Sequence, residues 1–155
     1  MSQSCKIKSK PEERQGVYKV MKIQLHAKRD GVTKLGPGTR FVVWTQGCSR
    51  SCPGCMTAES QKPNGGFSTD TKQLAEEIVK SDRHGLTISG GEPFLQAKAL
   101  ADLIQEVRKK TDLGVMIYTG FTLEELQEAD NPDYKLLLEQ CDLLVDGPYM
   151  EELND

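Results

Sequence analysis

No apolar run in this 155-residue chain approaches the ~20 residues that a helix needs to cross a bilayer. No apolar signal-peptide core stands near the first methionine either. Both absences point away from membranes and export and towards the cytoplasm. Charge of one sign is also missing: 20 Lys and Arg stand against 23 Asp and Glu, for a net charge of −3. Without a broad basic field, no nucleic-acid partner is expected. There is no internal repeat and no low-complexity tract. The five cysteines are an odd number, which suits a reduced chain better than a disulfide framework. What is there is ordinary for a soluble globular protein, with 37% hydrophobic and 28% charged residues. The length predicts one domain. Residues 1–16 read as a flexible polar tail carrying Lys6, Lys8, Lys10 and Arg14. Glu12 and Glu13 interrupt that basic run, so it is not a transit peptide. The domain is expected over residues 17–155.

Against this plain background, three cysteines fall within eight residues, Cys48-Ser-Arg-Ser-Cys52-Pro-Gly-Cys55. Short gaps of this kind let one loop wrap an iron–sulfur cluster, which is held mainly by thiolates. A four-iron cluster needs four ligands and this loop supplies three, so one iron would be free to bind something else. Zinc is the competing metal. Structural zinc is four-coordinate, with ligands in two spaced pairs. The remaining candidates, Cys5, Cys141, His26 and His84, form no second C-x-x-C and no H-x-x-x-H. Cys5 lies in the charged tail, and Cys141 sits among leucines like a small core residue.

The apolar pattern switches between two periods. Val17–Leu25 alternates and predicts a half-buried strand, broken by Gly36-Pro37-Gly38. Phe41–Trp44 is a short continuous apolar run, as in a strand buried on both faces, Trp44 facing the core. Arg40, at its start, is either solvated or paired with a carboxylate. Asp70 with Gln73 predicts a capping box that opens a helix carrying Leu74, Ala75, Ile78 and Val79. Leu86–Ile88 is the next strand, followed by a helix on Leu100, Leu103, Ile104 and Val107. Val115–Tyr118 is a third strand of this kind. Thr122 and Glu125 predict another capping box, with Leu123 and Leu126 inward. Asp133 is expected to start a helix carrying Leu136 and Leu137, and Leu143–Val145 is a last strand. Strands alternating with helices imply parallel βαβ units with right-handed crossovers. In such sheets ligands gather beyond the carboxyl ends of the strands. The cysteine loop, Ser89–Pro93, Thr119-Gly120 and Asp146–Pro148 all fall there.

Ser89-Gly90-Gly91-Glu92-Pro93 links a strand to a helix. Its two glycines would let a ligand approach the main chain closely. A phosphate loop fits poorly, because the turn has no lysine and a carboxylate would repel phosphate. A ligand with an ammonium group suits Glu92 and exposed carbonyls better. An open iron beside such a ligand is a chelation site for the methionine end of S-adenosylmethionine. A reduced cluster could then cleave a carbon–sulfur bond and release a 5′-deoxyadenosyl radical, chemistry that no side chain performs. The bland alternative for this turn is a plain strand–helix connection, and Asp146-Gly147 is either a ligand contact or a turn signal.

The C-x3-C-x2-C loop and the Gly-Gly-Glu-Pro turn, at this separation, resemble the radical S-adenosylmethionine superfamily. Within it the chain is most similar to the glycyl-radical activating enzymes, above all the anaerobic ribonucleotide reductase activating group. Gly36-Pro37-Gly38-Thr39-Arg40, Gln46-Gly47-Cys48, Cys52-Pro53-Gly54-Cys55, Tyr118–Leu126 and Leu144–Pro148 carry the likeness, which runs from about Gly36 to Tyr149. Gly54, where many superfamily members have an aromatic residue, narrows the match to this group. The resemblance implies an α/β fold, an incomplete (βα) barrel with parallel strands and helices on the outside, open on one side for a large partner. It implies a [4Fe-4S] cluster on Cys48, Cys52 and Cys55. It also implies S-adenosylmethionine contacts from Gly54, Cys55, Met56 and Gly91, with Gly90 and Glu92 nearby. The implied partners are a glycyl-radical enzyme of the anaerobic ribonucleotide reductase type and a flavodoxin-like electron donor. Relatives continue beyond the position of Asp155 with a segment rich in Arg, Gly, Ser and Asn, so either the chain is cut short or the barrel ends early. Two other readings stand beside this one. The first is a radical S-adenosylmethionine enzyme acting on a peptide or small molecule. The second is a metal-binding interaction module with no turnover.

Overall fold

A computed structural model describes residues 21–47 and 65–147 of the chain. Cys48, Cys52, Gly54, Cys55 and Met56 lie outside the described residues, as do the tail and Pro148–Asp155. The described chain is α/β, with one mixed six-stranded sheet in the order β3-β1-β2-β4-β5-β6. The strands are β1 (Lys22–Val32), β2 (Arg40–Thr45), β3 (Phe67–Asp70), β4 (Gly85–Gly90), β5 (Gly114–Tyr118) and β6 (Leu143–Val145). The helices are α1 (Thr71–Ser81), α2 (Ala97–Arg108), α3 (Leu123–Glu128) and α4 (Pro132–Gln140), with a 3-10 turn at Pro93–Gln96 before α2.

Strands β2, β4, β5 and β6 run parallel to one another, as the βαβ pattern predicts. The expectation of a wholly parallel sheet does not hold, because β1 runs antiparallel to both β2 and β3. The physical reason is the connection. Only residues 33–39 separate β1 from β2, and a parallel return needs a crossover of a dozen residues or more. β1 also runs on to Val32, past the predicted end at Leu25. Its second half has no apolar alternation and is held by its pairing with Val42–Trp44 and Arg40 of β2. β3 is a short edge strand with no fully buried side chain, and nothing in its composition signals it.

Alternation sorts the two faces of the sheet. Ile23, Leu25, Phe41, Val43, Leu86, Ile88, Val115 and Ile117 join the helix side chains in one core. There Leu100, Leu103, Ile104 and Val107 of α2 are fully buried, each contributing roughly 1.5–3 kcal/mol relative to exposure. α2 packs against both α1 and α4. On the other face Val42 and Thr87 are fully buried, so β2 is covered on both sides over Phe41–Val43. Trp44 is only half-buried, which corrects its assignment to the core.

Arg40 settles the amino edge of the parallel strands. It is 6% exposed and forms no ion pair with a carboxylate among the described residues. Its Nε donates to Thr87 Oγ1 at 2.7 Å, and its terminal nitrogens donate to the carbonyls of Pro37, Leu86 and Gly114 at 3.0–3.1 Å. The side chain therefore laces β2, β4 and β5 together.

The starts of α1, α3 and α4 follow side-chain caps, while α2 continues from the 3-10 turn with none. Asp70 ends β3 and accepts from the N–H groups of Lys72 and Gln73, opening α1. Thr122 and Glu125 form the reciprocal capping box at α3. Leu126 is buried, but Leu123 is 39% exposed, not inward as expected. α4 begins at Pro132 and is capped by Asn131, whose oxygen accepts from Asp133 and Tyr134. The start expected at Asp133 is thus displaced, because a proline at the first helical position costs no hydrogen bond. Among the described residues, no helix is long and apolar enough to cross a membrane.

Candidate cluster site at the carboxyl edge

The carboxyl ends of β2, β4, β5 and β6 lie at one edge of the sheet. The chain leaves β2 there through Thr45, Gln46 and Gly47, and Cys48 follows. The exit is tightly built. Thr45 and Gln46 are buried. Gln96 clamps this exit to β1: its Nε2 donates to the carbonyls of Gln24 at 2.8 Å and Gln46 at 3.3 Å, while its Oε1 accepts from the Gln24 N–H at 2.8 Å. His26 Nδ1 stands 3.2 Å from Gln46 Oε1, at a β1 position where the register with β2 shifts. Bulges recur next to functional sites because they re-aim a side chain. Sequence reading offered no signal for Gln96.

The glycine-rich turn is bound to this exit by main-chain contacts. Gly90 pairs with Thr45, the Gly91 N–H donates to Thr45 O at 2.9 Å, and the Glu92 N–H donates to Gly47 O at 2.8 Å. The Thr45 hydroxyl donates to Ser89 O at 3.2 Å. Gly90 has φ +105°, and a Cβ there would overlap the backbone N of Thr45 and approach its carbonyl oxygen at 2.6 Å. The space left by its missing side chain is therefore taken by β2, where the sequence reading assigned it to a ligand. The reason is the close approach of two parallel strand ends, which only glycine permits.

Glu92 also differs from expectation. It is 1% exposed, and no oxygen pair faces outward from the turn. Oε2 accepts from the Phe94 N–H at 3.1 Å and from the Thr119 hydroxyl at 2.7 Å, and Oε1 accepts from the Gly120 N–H at 2.8 Å. The carboxylate thus caps the 3-10 turn and ties the end of β4 to the end of β5. Its burial is tolerable because its oxygens are engaged. Asp146, read as ligand contact or turn signal, accepts from the Leu123 N–H at 2.7 Å and so caps α3. The Gly147 N–H donates to Phe121 O at 2.7 Å.

His84 and Cys141, two of the candidate zinc ligands, precede β4 and β6 and lie at the opposite, amino edge. Nδ1 of His84 accepts from the Thr39 N–H at 3.0 Å. The Cys141 thiol donates to Leu143 O at 3.1 Å, and burial raises its pKa. Among the described residues, no group of three or more His, Cys, Asp or Glu could hold a metal ion.

Comparison with known proteins matches this arrangement to a family. The profile of the 4Fe-4S single cluster domain family covers residues 34–155. The anaerobic ribonucleoside-triphosphate reductase-activating protein of Vibrio cholerae is 32% identical, over 77% of this chain and 80% of the relative. The protein of the same name from Escherichia coli K12 is 31% identical over the same shares. That of Enterobacteria phage T4 is 28% identical, over 76% of each chain. The chain belongs to the 4Fe-4S single cluster domain family, alongside the anaerobic ribonucleoside-triphosphate reductase-activating proteins.

Proposed function

We propose that this chain is a radical S-adenosylmethionine activating enzyme that generates a glycyl radical on a partner of the anaerobic ribonucleotide reductase type. The observation that carries the proposal is the likeness to activating proteins across most of the chain, joined to a three-cysteine loop that leaves β2 beside the Gly90–Glu92 turn. Three thiolates on one loop are the donor set an iron–sulfur cluster prefers. Cys48, Cys52 and Cys55 would hold a [4Fe-4S] cluster and leave one iron open. When bound and reduced, that cluster supplies the electron that breaks a carbon–sulfur bond of S-adenosylmethionine.

The chain's own residues do the positioning. With β2 filling the space at Gly90 and Glu92 turned inward, the main chain around Gly91 offers the approach to S-adenosylmethionine. Gly54, Cys55 and Met56 complete the contacts from the cysteine loop. Residues 17–155 form one domain, an incomplete (βα) barrel in which the face of the sheet opposite the helices lines the reaction space. A flavodoxin-like protein in the cytoplasm delivers the electron. The position of His84 and Cys141 at the far edge weighs against a closed zinc site built from them.

The test is reconstitution with iron and sulfide under nitrogen, followed by dithionite and S-adenosylmethionine. 5′-Deoxyadenosine is expected, and with a glycyl-radical reductase from the same source a glycyl doublet is expected in the electron paramagnetic resonance spectrum. A fully loaded cluster that yields no 5′-deoxyadenosine would remove the enzyme reading. Product without a radical on any reductase would favour a peptide or small-molecule substrate. Gly91→Val is expected to abolish S-adenosylmethionine binding by filling the ligand's space.

A further inference from the structure

The end of β5 carries a hydroxyl that no other part of the proposed function uses. Thr119 is buried and stands where three strand ends meet. Its N–H donates to Val145 O of β6 at 2.9 Å. Its hydroxyl donates to Glu92 Oε2 at 2.7 Å and accepts from the Phe121 N–H at 3.2 Å. The next residue, Gly120, donates its N–H to the other oxygen of the same carboxylate at 2.8 Å. A single carboxylate therefore grips both residues that follow β5, and the hydroxyl is both donor and acceptor in that grip. Valine has the same shape and can do neither. The main chain of Glu92 is in turn bonded to Gly47 O, one residue before the cysteine loop. A shift of the Glu92 side chain would thus be felt at the Gly90–Glu92 turn.

We infer that Thr119 is a positioning residue for S-adenosylmethionine. Its hydroxyl holds the Glu92 carboxylate inward, and so keeps the Gly90–Glu92 main chain in the shape that receives the ligand. The inference rests on the function proposed above. By this reading Thr119 acts on the ligand through Glu92 and not through the cysteine loop. Its loss should therefore weaken ligand binding and leave the cluster in place.

The experiment compares the parent, Thr119→Val and Thr119→Ser, each reconstituted with iron and sulfide. The measurements are iron content, melting temperature and S-adenosylmethionine affinity by equilibrium dialysis of the unreduced protein. The change in the reduced-cluster resonance spectrum on adding S-adenosylmethionine gives a second readout independent of turnover. Thr119→Val is expected to keep the parent's iron and to bind S-adenosylmethionine about tenfold or more weakly, the scale of a lost hydrogen bond to a charged group. Thr119→Ser restores the donor and should bind within about threefold of the parent. Equal affinity in the parent and Thr119→Val overturns the inference while leaving the function proposed above intact. So does failure of Thr119→Ser to rescue, because the methyl group would then be what matters. Loss of iron in Thr119→Val also overturns it, because the hydroxyl would then be supporting the cluster loop. A parent that holds its cluster and binds no S-adenosylmethionine overturns both readings, which separates the two failures.

Discussion

Two glycines and one arginine show how single residues set this molecule's geometry. A Cβ at Gly85 would overlap the Arg40 guanidinium, which is already held by Thr87 Oγ1 and three carbonyls. The end of a long side chain ordinarily moves aside at little cost, but this one is buried and fully engaged. Gly85→Ala should therefore lower stability by about 2–4 kcal/mol, through lost hydrogen bonds to a buried charge; chemical denaturation checks it. Gly90→Ala meets backbone rather than side chain and adds a left-handed φ. A cost of about 3 kcal/mol or more is expected, with separation of the β2 and β4 ends seen as faster amide exchange at Gly91. Cys141 gives a pH signature. Burial raises its pKa, so the folded state holds the thiol proton more tightly than the unfolded chain does. Whatever stability this contributes is present below the ordinary thiol pKa and is lost as pH climbs through the raised value. Alkylation of Cys141, followed by peptide mapping, should still be rising with pH in the folded protein where the urea-unfolded chain has levelled off.

α1, α3, α4 and the 3-10 turn begin where a side chain satisfies the first N–H groups, while α2 has no side-chain cap. Asp70, Glu92, Thr122 and Asn131 each do so. α3 depends on this most, because its six residues bury only Leu126. Thr122→Ala removes one arm of the capping box. It should cost about 1 kcal/mol, or ~2–4 °C in melting temperature for a chain of this size; a thermal scan read by circular dichroism measures it. The second cap on α3, Asp146, comes from the end of β6. Local pattern predicted the Thr122–Glu125 box. It did not show whether Asp146 would be spent on a ligand or on a helix, because that choice depends on where β6 ends relative to Leu123. For the same reason, the outward position of Leu123 was hidden in its apolar character.

At the scale of the whole molecule, the sheet brings the chemistry-bearing turns to one edge and the arginine lacing to the other. Ligand binding at the carboxyl edge should stabilise the loaded protein as a unit. S-adenosylmethionine at a hundredfold its dissociation constant should raise stability by ~2.7 kcal/mol, about 5–10 °C in melting temperature. A site closed entirely by side chains would show no such shift. Loaded protein should also lose its brown colour in air, because an open iron is exposed to oxidation.

Periodicity and caps alone determined the succession of strands and helices along the parallel half, the buried face of α2 and the edge at which the unusual turns fall. Those are local or near-local properties, set by residues three to four apart on a helix and two apart on a strand. The cysteine spacing likewise favoured an iron–sulfur cluster over zinc without a fold, and the match to a 4Fe-4S domain family supports it. What only the tertiary structure decided depends on contacts between distant residues. The antiparallel seat of β1, the unsignalled β3, the socket for Arg40, the Gln96 clamp and the inward turn of Glu92 onto Thr119 are all of this kind. Each joins partners far apart in the chain. No window of sequence contains both members of such a pair, so residue type shows only that a polar group needs a partner, and the packed fold chooses which.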